Sequence, residues 1–266
     1  MIPTPPIPSQ MPAPPWSSWE KWLQSPPGSY VLAWEQTCFD QIVTDVFGFH
    51  AVQIGLPQIN TLIENRMPLQ ALLLNSNDNR EYAARFNWHL IEGNTSELPF
   101  ANESLDLVVL PHVLEFAADP HQILREVDRV LRPEGRLIIS GFNPASLWGA
   151  RQYFSRLIGN PYLPRDGQFI SLIRIKDWLK LLNFSLDRGH FGCYKFPLQG
   201  QSAMGRMAFL ESMGNRWWPI FGAVFLVSAI KRHQGIRLIG KIAPVRIPAI
   251  QQLTPAAERN QLQEIQ

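Results

Sequence analysis

The chain has 266 residues, 45% apolar and 17% charged, with 24 Lys and Arg against 22 Asp and Glu. That is enough chain for a full core, and too ordinary a composition for a disordered, collagen-like or disulfide-built protein. The near-neutral total hides a split: residues 1–124 carry 4 basic and 13 acidic side chains, residues 125–246 carry 19 and 7, and residues 247–266 carry 1 and 2. Such a split points either to an anionic partner for the basic half or to two halves that pair across one fold. Cys38 and Cys193 stand far apart without His or Cys neighbours at ligand spacing, so neither a zinc site nor a disulfide framework is readable, and no metal is expected.

Residues 1–15 contain seven prolines with no basic start and no apolar run, which predicts a solvated extended arm without a secretory signal and a cytoplasmic protein. Trp16, Trp19 and Trp22 follow at i, i+3 and i+6, a short helix with one aromatic face that reads first as core. Pro26-Pro27-Gly28 is expected to end it, and a second helix is expected over Tyr30 to Phe47. Together, residues 16–47 form a helical cap.

Short apolar runs of strand length then appear at Ala51–Leu56, Gln70–Asn75, Trp88–Ile91, Leu105–Leu110, Arg136–Ser140, Phe184–Tyr194 and Ile220–Lys231. Helical spacing separates several of them, over Pro120–Leu131, Ala145–Ile158, Arg174–Leu182 and Ala203–Gly214. Within Pro120–Leu131 the apolar residues recur at i, i+1, i+4, i+7 and i+8, after Asp119 as cap and with Pro120 in the first turn. Strands alternating with helices predict an α/β fold: a mainly parallel seven-stranded sheet with helices on both faces. The last two strands flank one helix with none after, which fits an antiparallel last strand. This gives one domain over residues 48–232, with a Pro- and Gln-rich C-terminal extension over 233–266. The longest apolar run, Trp217–Ile230, is 14 residues and interrupted by Pro219, short of the roughly 20 needed to span a bilayer.

Ligands of an open parallel sheet sit at the carboxyl ends of its strands. No G-x-G-x-x-G follows a strand and no G-x-x-x-x-G-K-[ST] exists, which argues against a nicotinamide dehydrogenase and a P-loop enzyme. Gly200-Gln-Ser202-Ala-Met-Gly205 has one residue too many for a nucleophile elbow. The positive signal is Leu98-Pro99-Phe100 with Ser104-Leu105-Asp106, then His112-Val113-Leu114-Glu115, then Glu126-Val127-Asp128-Arg129-Val130-Leu131-Arg132-Pro133-Glu134-Gly135. This stretch resembles the class I S-adenosylmethionine-dependent methyltransferases of the small-molecule, ubiquinone- and menaquinone-methyltransferase-like group (methyltransferase type 11), whose pattern there is LPF-x-x-x-S-F-D, H-V-L-E-H and E-x-x-R-V-L-K-P-G-G.

The resemblance implies a Rossmann-like fold and S-adenosyl-L-methionine as cofactor. Methyl transfer from a sulfonium needs alignment of donor and acceptor more than a catalytic triad. By position, it assigns Gly55, Asn75, Asn94, Thr95, Leu110 and Pro111 to the cofactor, and makes His112, after the fourth strand, the candidate general base. Glu115 would orient His112 or close a turn, and Tyr162 is a candidate for the acceptor pocket. The family's glycine-rich loop, [DE]-x-G-x-G-x-G, is degenerate here: Gln53 replaces the acid, Gly55 remains, and Leu56-Pro57-Gln58 replaces the rest. An alternative therefore stays open, a catalytically inactive methyltransferase-fold protein that binds or regulates.

Leu110-Pro111-His112-Val113 stands where nucleobase-methylating relatives of the fold carry [DN]-P-P-[YF] or Pro-Cys, which disfavours nucleic acid and favours a small-molecule acceptor, hydrophobic or anionic. Trp217-Trp218 and Phe221, with Lys231-Arg232 nearby in sequence, read as a peripheral membrane contact or, more simply, as a buried aromatic pair beside a solvated charge run. The charge split, laid on this fold, puts the basic half on the acceptor side and predicts an acceptor bearing negative charge. Nothing in the sequence fixes the oligomeric state.

Overall fold

The computed structural model describes residues 15–75, 88–157, 167–196 and 208–232. Two helices come first, α1 (Pro15–Leu23) and α2 (Pro26–Val43). The Pro26-Pro27-Gly28 expected only to end α1 also starts α2, with Ser25 as cap accepting from the Gly28 amide. A first-turn proline lacks only an amide that a helix start leaves unpaired anyway. Gly28 is required there, because a Cβ would stand 2.2 Å from the Trp22 carbonyl where the two helices meet.

The seven strands are β1 (His50–Ile54), β2 (Leu69–Leu74), β3 (His89–Glu92), β4 (Leu105–Pro111), β5 (Leu131–Phe142), β6 (Phe184–Gly192) and β7 (Val224–Lys231). They form one sheet in the order β3-β2-β1-β4-β5-β7-β6, parallel except for β7, which runs antiparallel to both neighbours. The expected antiparallel last strand is thus inserted between β5 and β6. Helices α3 (Val113–Phe116), α4 (Pro120–Val130), α5 (Leu147–Leu157), α6 (Leu172–Leu181) and α7 (Ala208–Trp217) join the strands, and a 3-10 turn, Pro219–Phe221, leads into β7.

Alternation along β4 divides the core between two layers. Leu107 and Val109 face the cap, with Trp19, Phe39, Ile42, Phe142 and Trp148. Val108 and Leu110 face the other way, against Ile123, Val127 and Val130 of α4 and Ile175 and Leu179 of α6. Asp119 caps α4 through the Gln122 amide at 3.0 Å.

Glu126 and Arg129 explain much of the sequence pattern around residues 98–135. Glu126 accepts from the Leu98 amide at 2.9 Å. Arg129 donates to the Leu98 and Phe100 carbonyls, each at 2.9 Å, and to Asn102 at 2.8 Å. The E-x-x-R of α4 therefore holds the Leu98-Pro99-Phe100 loop in place, and charge-assisted bonds of this kind are the stronger ones.

Trp19 is the cap's deepest aromatic: fully buried, stacked on Trp22 at 5.1 Å and packed against Phe116 at 5.2 Å and Phe142 at 5.8 Å. Trp19→Ala is expected to cost about 3–5 kcal/mol of stability in urea unfolding, whereas Asp119→Ala should cost about 1 kcal/mol.

Candidate functional site

β1 ends at Ile54, and the chain turns through two left-handed residues, Gly55 (φ 70°) and Leu56 (φ 44°). Gln53, fully buried, organises the loop beyond the strand. Its side-chain amide donates to the carbonyls of Gly55 (3.1 Å), Leu56 (2.9 Å) and Ile59 (3.0 Å), and its oxygen accepts from the Thr61 amide (3.0 Å) and hydroxyl (2.7 Å). A carboxylate only accepts, so it could not bind three carbonyls; the acid-to-amide change belongs to this loop. Leu56, Ile59 and Leu62 are turned inward against the cap. The segment that would carry glycines under a cofactor is an apolar plug here.

Gly55, Asn75 and Thr95, at the carboxyl ends of β1, β2 and β3, line one cavity of about 160 Å³, closed by Val113, Phe116 and Ile123. At Gly55 a Cβ would meet only Val113, at 3.3 Å, so the glycine keeps that wall open. The other three cofactor candidates do not line the cavity. Asn94 folds its side chain onto the Ser96 amide at 2.9 Å, and Leu110 and Pro111 are buried in β4. Ligand pockets usually hold about 300–1,000 Å³. This cavity is smaller, so the residues present would hold part of S-adenosylmethionine: Asn75 and Thr95 offer polar groups and Gly55 leaves its wall open.

His112 corrects the expectation of a general base facing the acceptor. It is fully buried, left-handed at φ 52°, and starts α3. Nδ1 lies 2.8 Å from Glu115, and Nε2 lies 3.0 Å from Glu35 of α2, an ion-pair contact not aligned as a hydrogen bond. The ring sits beside Trp19 and Phe142. Burial pulls the imidazole pKa down, but the Glu35 and Glu115 carboxylates outweigh it and raise it from 6.5 to about 10. A ring protonated on both nitrogens has no lone pair with which to take a proton.

Glu115 is more than a turn residue. Its other oxygen accepts from the Phe142 amide and its carbonyl from the Gln168 amide, while burial pushes its carboxyl up against the pull of His112. Sequence reasoning missed Glu35. The signal was there: Val31, Glu35, Cys38, Phe39 and Ile42 form one helical stripe, and Glu35 is its only acid.

Two larger cavities lie on the β5 side. One of about 480 Å³ is lined by Gln152, Tyr153, Phe154, Gln168 and Phe169, and an apolar one of about 460 Å³ by Leu147, Tyr194, Phe196, Leu210, Trp218 and Phe221. Tyr162, the Gly200–Gly205 stretch and residues 233–266 lie outside the described residues. His121 packs against Trp178 with ring centroids 4.0 Å apart and the planes tilted by 52°.

Part of the charge split is internal pairing, and the anionic acceptor inferred from it is untested by these contacts. Arg125, Arg129, Arg132, Arg136, Arg188, Lys231 and Arg232 each stand within 3.7 Å of a carboxylate, three of them paired with the acidic half through Asp119, Asp106 and Asp45. Among the described residues no three His, Cys, Asp or Glu side chains group to hold a metal, and no helix is long and apolar enough to cross a membrane.

The strand order defines the class of fold: it is that of class I S-adenosylmethionine-dependent methyltransferases, and residues 69–139 match the family model of a methyltransferase domain. It is 35% identical over 143 residues to the uncharacterized protein YafS of Escherichia coli, covering 54% of this chain and 55% of YafS. It is 39% identical over 69 residues to a demethylmenaquinone methyltransferase of Listeria welshimeri, covering 26% of this chain and 29% of that enzyme. The chain thus spans about half the length, or less, of these curated relatives. A crystal structure of a possible histamine N-methyltransferase from Thermotoga maritima superposes over 82% of this chain and 96% of its own, with TM-score 0.59 and 17% identity, a likeness of fold.

A histidine whose pKa is raised on folding stabilises fully below its unfolded value, and that stability is lost as pH rises through the folded one. Urea midpoints should therefore decline between pH 6.5 and about 10 in the native protein, and His112→Gln should flatten that decline. An equal slope in the variant would show that the imidazolium is not the titrating group.

Proposed function

We propose that this protein is a cytoplasmic S-adenosylmethionine-dependent methyltransferase whose acceptor is a small, apolar molecule. One observation carries the reading: Gly55, Asn75 and Thr95, distant in sequence, converge on one cavity at the carboxyl ends of adjacent parallel strands. Bound there, the cofactor would supply a methyl group already activated on a sulfonium. Asn75 and Thr95 offer polar groups to a nucleoside, Gly55 lets the backbone approach it, and Val113, Phe116 and Ile123 exclude water. The aromatic side chains around the neighbouring cavities support an apolar acceptor, and the Leu110-Pro111-His112-Val113 sequence speaks against a nucleobase.

His112 takes no proton in this reading; held by Glu35 and Glu115, it ties the cap to the turn after β4. That suits an acceptor that needs positioning alone. A second reading, a fold retained for binding without catalysis, is favoured by Gln53, whose amide is committed to the carbonyls of the loop after β1, where the family's glycine-rich motif is replaced.

Calorimetric titration with S-adenosylmethionine and S-adenosylhomocysteine separates the two. Binding is expected, and Gly55→Trp should weaken it at least roughly tenfold, because a side chain at positive φ is strained and the indole would enter the cavity. No heat at millimolar ligand would sink the enzyme reading. With cell extract and methyl-labelled cofactor, label should pass into the organic phase on extraction; label confined to water would overturn the apolar acceptor, and binding without any transfer would favour the second reading.

A further inference from the structure

The aromatic cluster at the start of β7 stands in solvent. Trp217 is 67% exposed, Trp218 54%, Ile220 65% and Phe221 55%, so the expectation of a buried pair fails. The basic pair first associated with it lies elsewhere: β7 carries Lys231 and Arg232 to the other end of the strand, where Asp128 and Glu134 hold them. Large apolar side chains gathered at one place mark an interaction surface more often than isolated ones do.

These side chains are presented by a pinned backbone. Asn143, just after β5, donates to the carbonyls of Ile220 (2.7 Å) and Gly222 (2.9 Å). The Tyr194 hydroxyl donates to Pro219 at 2.8 Å. Gly214 brings α7 against the Tyr194 ring so closely that a Cβ would be 2.2 Å from it. Trp218 and Phe221 also line the mouth of the apolar cavity of about 460 Å³. The cluster is thus held outward beside an apolar recess.

Its surroundings are basic. Among the described side chains of residues 143–154, 193–196 and 210–223, the basic ones are Arg151, Lys195 and Arg216, against one acid, Glu211. That acid is committed inward, to the Tyr30 hydroxyl and to the amides of Cys193 (3.1 Å) and Tyr194 (3.3 Å). Arg216, next to the tryptophans, is exposed. Indole rings prefer the boundary between lipid and water, and arginines beside them favour an anionic surface.

We propose that Trp217, Trp218, Ile220 and Phe221, with Arg216, form a docking site for an anionic lipid bilayer, on which the protein rests without crossing it. The inference stands whichever reading of the cofactor cleft holds. It is tested by co-sedimentation of the full chain with vesicles of phosphatidylcholine alone and of phosphatidylcholine and phosphatidylglycerol in equal parts.

Binding is expected to the mixed vesicles, with less at high salt. Arg216→Glu should weaken it by roughly tenfold. The double variant Trp217→Ser, Trp218→Ser should weaken it by at least about tenfold with unchanged circular dichroism and thermal unfolding, because both side chains lie outside the core. Three results overturn the proposal: no binding of the native chain to the mixed vesicles, equal binding by the double variant, or self-association through this face without vesicle binding.

Discussion

Three buried ionisable groups, Glu35, His112 and Glu115, decide how the two parts of this protein fit together. An isolated charge in such surroundings is costly, and an imidazolium between two carboxylates offsets that cost only while all three are in register. Glu35 comes from the cap, His112 and Glu115 from the turn after β4, and the Phe142 amide from the end of β5. Trp19 and Phe142 pack against His112, and Phe116 packs on Trp19. Displacing the cap would expose or strand at least one charge, so the cap is bound to the sheet by more than its apolar area.

The same cluster shapes the cleft. With the cap held down, the β1 loop packs beneath it through Leu56, Ile59 and Leu62, and Gln53 gathers that loop's carbonyls. The cavity at β1–β3 is lined by Gly55, Asn75 and Thr95 and is small. The wider spaces lie beyond Phe142, around α5. The substituted glycine loop and the cap thus share one apolar core.

Most of the fold was legible because strands buried on both faces are continuous apolar runs and α4 is strongly periodic with a cap and a first-turn proline. The antiparallel final strand was legible for a similar reason, since no helix follows it to make a crossover. Element edges were less so: Pro26-Pro27-Gly28 serves two helices, and β5 begins at Leu131, before the Pro133-Glu134-Gly135 expected to separate helix from strand. Of the candidate site residues, Gly55, Asn75 and Thr95 came together because strand ends in a parallel sheet lie on one edge. Asn94 turned to its own loop, where a short amide side chain readily bonds a nearby backbone amide.

By itself, the sequence determined the α/β architecture, the strand count and the helical cap, and it located the methyltransferase-like stretch, because periodicity and turn chemistry are local properties. Its length, composition and split charge excluded several classes but did not reveal how the charge is used. That was decided by tertiary structure, which paired seven basic side chains of residues 125–246 with nearby carboxylates and left Trp217 and Trp218 exposed beside Arg216. Tertiary structure also made His112 a buried cation instead of an exposed base. Its partner Glu35 lies on a distant helix, and no local pattern specifies which side chains meet when helix and sheet pack.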